Sequence, residues 1–140
     1  MITTTNILLL IIAYLLGALP FSILAGKFLK GIDIREHGSG NAGATNTFRV
    51  LGKQAGIPVL CLDVLKGFAA VSLSHFSGFP PQTEMFVNLS LAYGVAAVLG
   101  HVFPVYVGFR GGKGVATLLG LMIGAFPQAA LLSIGVFILT

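Results

Sequence analysis

Charged residues are scarce in this sequence. Asp, Glu, Lys and Arg make up only 9% of its 140 residues, whereas a soluble domain carries about 25%. Hydrophobic residues account for 56%, and the mean hydropathy is +0.97. This shortage of charge excludes an ordinary soluble domain and indicates an integral membrane protein. The net charge of +4 does not indicate nucleic acid binding, because the basic residues are scattered between apolar runs and form no stripe.

Cysteine and histidine are also sparse. Cys61 is the only cysteine, which excludes an intrachain disulfide and a thiolate metal cluster. The three histidines, at 37, 75 and 101, have no metal-ligand spacing, so the sequence predicts no metal site. Residues 1–6 contain no Lys or Arg and precede a long apolar run, which favours a retained first span over a cleaved signal peptide.

Four apolar runs are long enough to cross a bilayer, which takes about 20 residues of helix. They comprise residues 7–26, 55–76, 85–109 and 115–140. Pro20 predicts a kink in the first run, the third is broken near Pro104, and Pro127 lies inside the fourth. We therefore predict an all-α polytopic membrane protein with four transmembrane helices, in which residues 1–140 form a single membrane domain. The spacings of Gly52 and Gly56 and of Gly120 and Gly124 predict close helix packing.

Basic residues cluster in two polar loops. Five of the eight lie in residues 27–53, two lie in residues 110–113, and none lies in the amino-terminal tail or in the 77–84 turn. Because Lys and Arg are retained on the cytoplasmic side, we predict that both loops are cytoplasmic and that the N-terminus is outside. A short surface helix is expected in the first loop, near residues 47–53.

The second loop, residues 110–117 with the sequence RGGKGVAT, is rich in glycine and carries two cations. Gly111, Gly112 and Gly114 let backbone N–H groups converge on a phosphate. Lys113 adds a point charge and three donors. The loop is not a Walker A motif, because the residue after Lys113 is not Ser or Thr. The alternative is a short connector whose two cations only set topology.

The first loop contains residues 38–46, GSGNAGATN, followed by Arg49. The glycines match G-x-G-x-x-G, but no βαβ unit surrounds them, so a dinucleotide site is rejected. Gly40 and its neighbours allow a ligand close to the backbone, and Arg49 offers a planar fork to phosphate or carboxylate. Neutral hydrogen-bonding groups come from Ser39, Asn41, Thr45 and Asn46. The alternative is a flexible loop in which Ser39 or Thr45 caps a helix.

Two ionisable residues, Asp63 and Lys66, lie on one face of the second apolar run. A charge inside a membrane span is costly and marks a candidate functional site. The alternative is a mutual ion pair that lets the helix insert. His101 lies in the third run, where it could donate to a ligand, although a lone intramembrane histidine more often bonds a neighbouring helix.

In their order and spacing, four motifs resemble those of the bacterial acyl-phosphate:glycerol-3-phosphate acyltransferase family, the PlsY type. The motifs are residues 38–46 with Arg49, Asp63-x-x-Lys66-Gly67, Gly100-His-Val-Phe-Pro-Val105 and Gly111-Gly-Lys-Gly-Val-Ala-Thr117. The resemblance covers essentially the whole chain. It implies a multi-pass enzyme of the bacterial inner membrane that transfers a fatty acyl group from acyl phosphate to the 1-hydroxyl of sn-glycerol 3-phosphate. The product is lysophosphatidic acid, for phospholipid biosynthesis.

The resemblance also implies residue roles and partners. Acyl phosphate, sn-glycerol 3-phosphate and the lipid bilayer are the implied partners, with no cofactor and no stated oligomeric state. The implied catalytic residues are Ser39, Asn41 and Arg49. The resemblance further implies that the loop around Lys113 grips the phosphate of glycerol 3-phosphate, and the substrate-binding residues that we predict are Gly40, Thr45, Asn46, Lys66, His101, Gly111, Gly112, Lys113 and Gly114.

The sequence departs from the family in its length. Family members carry about seven membrane helices and a further motif near the C-terminus with His, Asn, Arg and Glu, which has no counterpart here. We therefore expect this chain to be the N-terminal part of the fold, truncated at its C-terminus. Two other functions stay open: a transporter of a small phosphorylated solute, which broken helices and an intramembrane ion pair also suit, and a non-catalytic fragment of the enzyme.

Overall fold

The computed structural model describes residues 1–139, and throughout that range the regular elements are helices. Seven α-helices follow one another in this part of the chain: α1 Thr4–Gly17, α2 Phe21–Lys30, α3 Ala44–Leu51, α4 Lys53–Ser72, α5 Glu84–Val102, α6 Val115–Ala125 and α7 Pro127–Leu139. Short 3₁₀ turns lie at Ile34–Glu36, Leu73–Phe76 and Val105–Val107. Three segments are long and apolar enough to cross a membrane, Thr4–Lys30, Lys53–Phe76 and Glu84–Val107. They correspond to the first three predicted spans.

The break that Pro20 predicts divides the first span into two helices. The α-helix ends at Gly17, and α2 starts at Phe21. Proline has no N–H with which to continue the preceding helix. The two halves have different neighbours, because α1 packs on α5 and α4 whereas α2 packs on α3 and α4.

The fourth apolar run is not one helix, so the prediction of a continuous span over residues 115–140 is wrong for the part that is described. Phe126, with φ −139° and ψ 66°, ends α6, and Pro127 opens α7. Proline is favoured at a first helical position, where its missing N–H has no partner to lose. The 11 residues of α6 rise only about 16 Å, roughly half of the hydrocarbon core. Thr140 lies outside the described residues.

Helix α4 is the centre of the fold and packs against α1, α3, α5 and α6. Glycines bring its axis close to that of α6. A Cβ on Gly67 would collide with the carbonyl of Thr117, and a Cβ on Gly120 would collide with the carbonyl of Val64. Small residues that let helix backbones approach are typical of membrane helix pairs. The predicted packing role of Gly120 is thus confirmed.

The α1–α5 pair is built in the same way. A Cβ on Gly17 would meet the backbone of Ala97, and a Cβ on Gly100 would meet the carbonyl of Tyr14. The predicted packing role of Gly52 is wrong, because this residue has φ +83° and open space around it, and it joins α3 to α4.

The two predicted polar loops lie together at one end of the helices. The side chain of Arg35 in the first loop donates to the carbonyl of Arg110 in the second and to that of Val107 just before it, and Gly112 lies against the carbonyl of Ala42. A small apolar cluster of Ile23, Ile34 and Ala42 packs beneath them. The short helix expected within the first loop is α3, which begins at Ala44 and ends at Leu51.

Candidate active site between the polar loops

The amide of Asn46 organises the first loop. Its Oδ1 accepts a hydrogen bond from the Ser39 N–H at 2.9 Å, and its Nδ2 donates to the carbonyls of Ile34 at 3.2 Å and His37 at 3.0 Å. Asn46 is buried, and both of its amide protons are in use. Gly38, with φ +58°, passes so close to Asn46 Oδ1 that a side chain there would collide with it. Asn46 therefore shapes the loop from beneath.

A cluster of ionisable side chains lies beneath the loops, inside the helix bundle. Asp63 is 1% exposed, Lys66 5% and His101 6%. Asp63 Oδ1 lies 2.9 Å from Lys66 Nζ and 3.7 Å from His101 Nδ1. Thr117 Oγ1 lies 3.3 Å from the same His101 nitrogen. The cluster joins α4, α5 and α6, and among the described residues Asp63 Oδ2 has no hydrogen-bond partner.

Lys66 also ties α4 to the break between α1 and α2. Its ammonium donates to the carbonyl of Leu19 at 2.9 Å and lies 5.5 Å from the centre of the Phe21 ring. With Asp63, these contacts surround the charge. Of the two alternatives for this pair, the geometry favours the ion pair that supports the fold.

The glycine-rich loop is closed by its own backbone. The N–H of Gly111 donates to the Val102 carbonyl at 3.1 Å, and that of Gly112 donates to the His101 carbonyl at 3.2 Å. Gly112 is wedged between His101 Nε2 and the Ala42 carbonyl, where no side chain fits. These two N–H groups are therefore not available to a phosphate.

Backbone N–H groups without a hydrogen-bond partner among the described residues follow directly after Gly112. Gly114 has φ +77°, a conformation that favours glycine, and it leads into α6. The N–H groups of residues 113–117 make no hydrogen bond within the part of the chain that the structure describes. The exposed Lys113 side chain likewise has no partner there. A helix N-terminus with unpaired N–H groups and a neighbouring lysine suits an anion.

These groups line a cavity of about 190 Å³ that lies between the two loops, and we call it the polar cavity because ionisable and amide side chains are part of its largely apolar lining. It brings together side chains that are far apart in the sequence. Its lining consists of Asn41, Gly43, Ala44, Thr45, Leu60, Asp63, His101, Lys113, Gly114, Val115, Ala116 and Leu119.

Some of the predicted site residues line this cavity and others do not. The structure places five of them in its lining, Asn41, Thr45, His101, Lys113 and Gly114. Lys66 and Gly111 instead line a smaller space on the other side of Asp63, together with Pro20 and Phe21. Gly40 lies against the Arg35 carbonyl. Ser39 and Arg49 are exposed at the surface of the first loop and on α3.

An apolar groove of about 390 Å³ adjoins the polar cavity. It runs between α4 and α6 and is lined by Leu60, Cys61, Val64, Leu65, Phe68, Leu119 and Ile123. Leu60 and Leu119 belong to both linings, so the two spaces meet there. From Leu60 to Phe68, eight residue steps along the helix, α4 rises roughly 12 Å.

Sequence reasoning missed the pair formed by Asp33 and Arg35. Arg35 Nη2 lies 2.7 Å from Asp33 Oδ2, and Arg35 Nε lies 3.0 Å from Asp33 Oδ1. These hydrogen bonds lower the pKa of Asp33 to about 2, and the carboxylate in turn raises the pKa of Arg35. Both residues lie in the most charged stretch of the sequence, where Arg35 contributes only to the topology prediction. The signal that could have indicated this ion pair is the spacing of an acidic and a basic residue two positions apart beside a turn.

Known proteins that are similar to this chain share one description. Residues 7–140 match the profile of the family described as glycerol-3-phosphate acyltransferase. The glycerol-3-phosphate acyltransferase of Chlorobium phaeobacteroides (strain DSM 266) is 54% identical over 143 aligned positions, which cover 97% of this chain and 60% of that protein. The protein of the same name from Chlorobaculum tepidum is 52% identical, with 96% and 60% covered. The chain thus spans about 60% of the length of the relatives it matches.

Two crystal structures have the same arrangement of helices. Both are of PlsY, an integral membrane glycerol 3-phosphate acyltransferase, and both are 43% identical to this chain. The glycerol 3-phosphate form superposes with a TM-score of 0.82, and the aligned region covers 95% of this chain and 66% of the PlsY chain. The lysophosphatidic acid form has a TM-score of 0.78, with 94% and 64% covered.

Proposed function

Because the chain belongs to the glycerol-3-phosphate acyltransferase family, we propose that it forms the substrate-binding part of a bacterial inner-membrane acyltransferase. The enzyme transfers a fatty acyl group from acyl phosphate to the 1-hydroxyl of sn-glycerol 3-phosphate. The product is lysophosphatidic acid, which enters phospholipid biosynthesis. Residues 1–140 act as one membrane domain in this proposal.

One observation carries the proposal: a polar cavity with cationic and amide donors meets an apolar groove at Leu60 and Leu119. Acyl phosphate has an anionic head on a long alkyl chain, and it matches the two spaces in that order. Glycerol 3-phosphate is small, anionic and rich in hydroxyl groups, so it suits the polar cavity alone. The reacting carbonyl would lie where the two spaces meet.

The main task of the protein in this reaction is to align the glycerol hydroxyl with the carbonyl of acyl phosphate. Acyl phosphate is a mixed anhydride with an activated carbonyl. The glycerol oxygen forms a bond to the carbonyl carbon, the bond from that carbon to the phosphate oxygen breaks, and the departing phosphate takes the hydroxyl proton. Proximity supplies much of the rate. Donors that face the carbonyl and phosphate oxygens stabilise the charge that develops on them.

The cavity suggests how residues divide this work. Lys113 and the N–H groups at the start of α6 hold a phosphate group. Asn41 and Thr45 supply neutral hydrogen bonds from the opposite loop. Arg49 and Ser39 act from the surface of the first loop, with Arg49 on a second phosphate and Ser39 as a positioning group for the acyl phosphate or the hydroxyl. Asn46 supports this arrangement from beneath the loop.

The test uses two purified proteins, residues 1–140 alone and a hybrid. The hybrid joins residues 1–140 to the part of the Chlorobium phaeobacteroides relative that this chain does not cover. Each receives radiolabelled glycerol 3-phosphate with either palmitoyl phosphate or palmitoyl-CoA. We expect lysophosphatidic acid from the hybrid with palmitoyl phosphate only.

The other outcomes discriminate the alternatives. A silent short chain beside an active hybrid assigns the short chain the role of a non-catalytic fragment. No product from a folded hybrid with either donor contradicts the proposal. In that case, uptake of glycerol 3-phosphate into vesicles that contain the protein would support a transporter.

Lys113 gives the sharpest test of the phosphate site. In the hybrid, Lys113→Ala should raise the KM for glycerol 3-phosphate by roughly ten- to a hundred-fold, the value of a hydrogen bond to a charged group. Lys53→Ala is the matched control, since Lys53 is an exposed basic residue at the start of α4 and away from the cavity lining. An unchanged KM in the Lys113 variant would remove this residue from the phosphate site.

A further inference from the structure

One side chain joins the two polar loops by hydrogen bonds from its head group. The guanidinium of Arg35 donates through Nη1 to the carbonyl of Val107 at 2.8 Å and to that of Arg110 at 3.1 Å. The edge formed by Nε and Nη2 is held by the Asp33 carboxylate. The Arg35 side chain is 17% exposed, which is little for a long charged residue in a surface loop.

The base of this contact is anchored. Asp33 Oδ1 also accepts from the backbone N–H of Arg35 at 3.0 Å and so caps the 3₁₀ turn. Ile34, between the two, is fully buried in the apolar cluster with Ile23 and Ala42. Arg35 therefore projects from a fixed turn toward the second loop.

The second loop needs such support at the segment that Arg35 reaches. Phe109 has φ +59°, an uncommon conformation for a residue other than glycine. The loop returns to α5 through the N–H groups of Gly111 and Gly112, which donate to the carbonyls of Val102 and His101. Arg35 binds the carbonyls just before this point. Three residues after Arg110 comes Lys113, which faces the polar cavity.

We propose that Arg35, oriented by Asp33, is a positioning residue that fixes the glycine-rich loop and thereby holds Lys113 and the first N–H groups of α6 at the polar cavity. The nature of the ligand, an anionic phosphate monoester, rests on the proposed function. We call the contacts between Asp33, Arg35 and the carbonyls of Val107 and Arg110 the clamp, and these contacts do not depend on the proposed function.

A lysine cannot take the place of this arginine. The guanidinium presents five donors in a rigid plane, which lets one group serve a carboxylate on one edge and two carbonyls at the other end. An ammonium is a compact point charge on a flexible stem. Arg35→Lys therefore keeps the cytoplasmic charge and removes the clamp, which separates a positioning role from a topological one.

The first experiment measures the loop without using activity. Hydrogen–deuterium exchange is followed by mass spectrometry for peptides that cover residues 107–117, in residues 1–140 and in the hybrid. We expect faster exchange in Arg35→Ala and Arg35→Lys. Lys30→Ala is the matched control, because the Lys30 ammonium also donates to a backbone carbonyl, that of Val50 at 3.0 Å, but does not reach the second loop. Unchanged exchange in both Arg35 variants would overturn the proposal.

The second experiment asks whether the clamp serves the phosphate site. In the hybrid, both Arg35 variants should raise the KM for glycerol 3-phosphate by roughly ten- to a hundred-fold, because a displaced Lys113 loses its hydrogen bond to the phosphate as it does in Lys113→Ala. The KM for palmitoyl phosphate should change much less, and Lys30→Ala should change neither. Full rescue by Arg35→Lys, or an equal rise in both KM values, would overturn the positioning role.

The two proposals fail in different ways. If the unaltered hybrid gives no product, the proposed function fails, while hydrogen–deuterium exchange still decides whether Arg35 fixes the loop. If the hybrid is active and the KM for glycerol 3-phosphate is the same in the Arg35 variants, the clamp proposal fails and the proposed function stands.

Discussion

The ammonium of Lys66 connects three helices through a single group. It pairs with Asp63 in the same helix and donates to Leu19 at the junction of α1 and α2. Removing one member of a buried ion pair leaves an uncompensated charge, whereas removing both members costs much less. Substituting Asp63 and Lys66 together should therefore cost less stability than substituting Lys66 alone.

We predict that Lys66→Met lowers the free energy of unfolding by about 3–5 kcal/mol, because Asp63 then stays buried without a counter-ion. The double variant Asp63→Asn with Lys66→Met should recover a large part of this loss. Thermal unfolding in detergent, followed by circular dichroism, measures both. Losses that simply add in the double variant would mean that the two side chains are not coupled, and Lys66 would again be a candidate substrate ligand.

The Asp33 carboxylate offers a pH test of the clamp. Hydrogen bonds from Arg35 lower its pKa from 3.8 to about 2, with a smaller contribution from the charge of Lys27. Because the folded pKa lies below the unfolded value, the stabilisation is fully present above the unfolded pKa and is lost as the pH falls through about 2. Carbon-13 NMR of the carboxyl should give a midpoint near 2.

In the Arg35→Ala variant this midpoint should rise toward 3.8, since the main cause of the shift is gone. Lys30→Ala should leave it where it is. A midpoint near 3.8 in the unaltered protein would contradict the clamp geometry. The clamp should also stay intact over any pH range in which an enzyme is normally assayed.

At the scale of single residues, the sequence predicted which polar side chains the site contains, but not whether each side chain faces the cavity or the interior of the loop. Lys113 and Asn41 are polar residues in glycine-rich loops, and the cavity contains both. Asn46 has the same composition signal, yet its side chain turns inward to three backbone partners. Sequence cannot separate the two cases, because the turn that orients Asn46 depends on contacts with Ile34 and His37.

At the scale of helices, the glycines of α4 and α6 set how closely the two axes approach. Gly120→Val places a side chain against the Val64 carbonyl and must push α6 away from α4. Overpacking of this kind typically costs about 1–3 kcal/mol. We expect a lower unfolding temperature in detergent.

Gly135→Val is the control for that prediction. It makes the same substitution on α7, where no heavy atom of the described residues lies within 4 Å of the position that a Cβ would take. The control should unfold close to the unaltered temperature. Equal effects of the two substitutions would mean that helix propensity, not the α4–α6 contact, determines the loss.

Proline inside an apolar run did not always predict a helix break, because Pro58 lies within α4 without ending it. Pro20 and Pro127 gave similar signals in the sequence, and both mark a break. After Pro20 the chain continues as one long apolar segment, Thr4–Lys30. At Pro127 the break yields two short helices. The two prolines themselves do not report this difference.

At the scale of the whole molecule, the decisive feature is that residues from both loops and from four helices, α3 to α6, meet in one cavity. The shared end of the two loops was predictable from the distribution of Lys and Arg. The meeting of Asp63 and His101 with Asn41 and Thr45 was not, because it requires the register of α4 against α5. The predicted site residues included Asn41, Thr45 and His101 but not Asp63, although all four line the cavity.

Orientation in the membrane is the remaining property of the whole chain, and the positive charges predict it. Seven of the eight basic residues lie in the two loops, which the structure brings to one end of the bundle. Since Lys and Arg are retained in the cytoplasm, that end should face the cytoplasm and the N-terminus should be outside. The cavity would then open toward soluble glycerol 3-phosphate.

Single cysteines test this orientation after Cys61, the only native cysteine, is replaced by alanine. Glu36→Cys and Glu84→Cys are a matched pair, because both remove an exposed acidic residue and acidic residues contribute little to topology. In intact spheroplasts, a membrane-impermeant maleimide should label Glu84→Cys and Ile2→Cys, and should label Glu36→Cys only after permeabilisation. The reverse pattern would place the polar cavity outside the cell, where a cytoplasmic acyl phosphate could not reach it, and would contradict the proposed function as well as the topology.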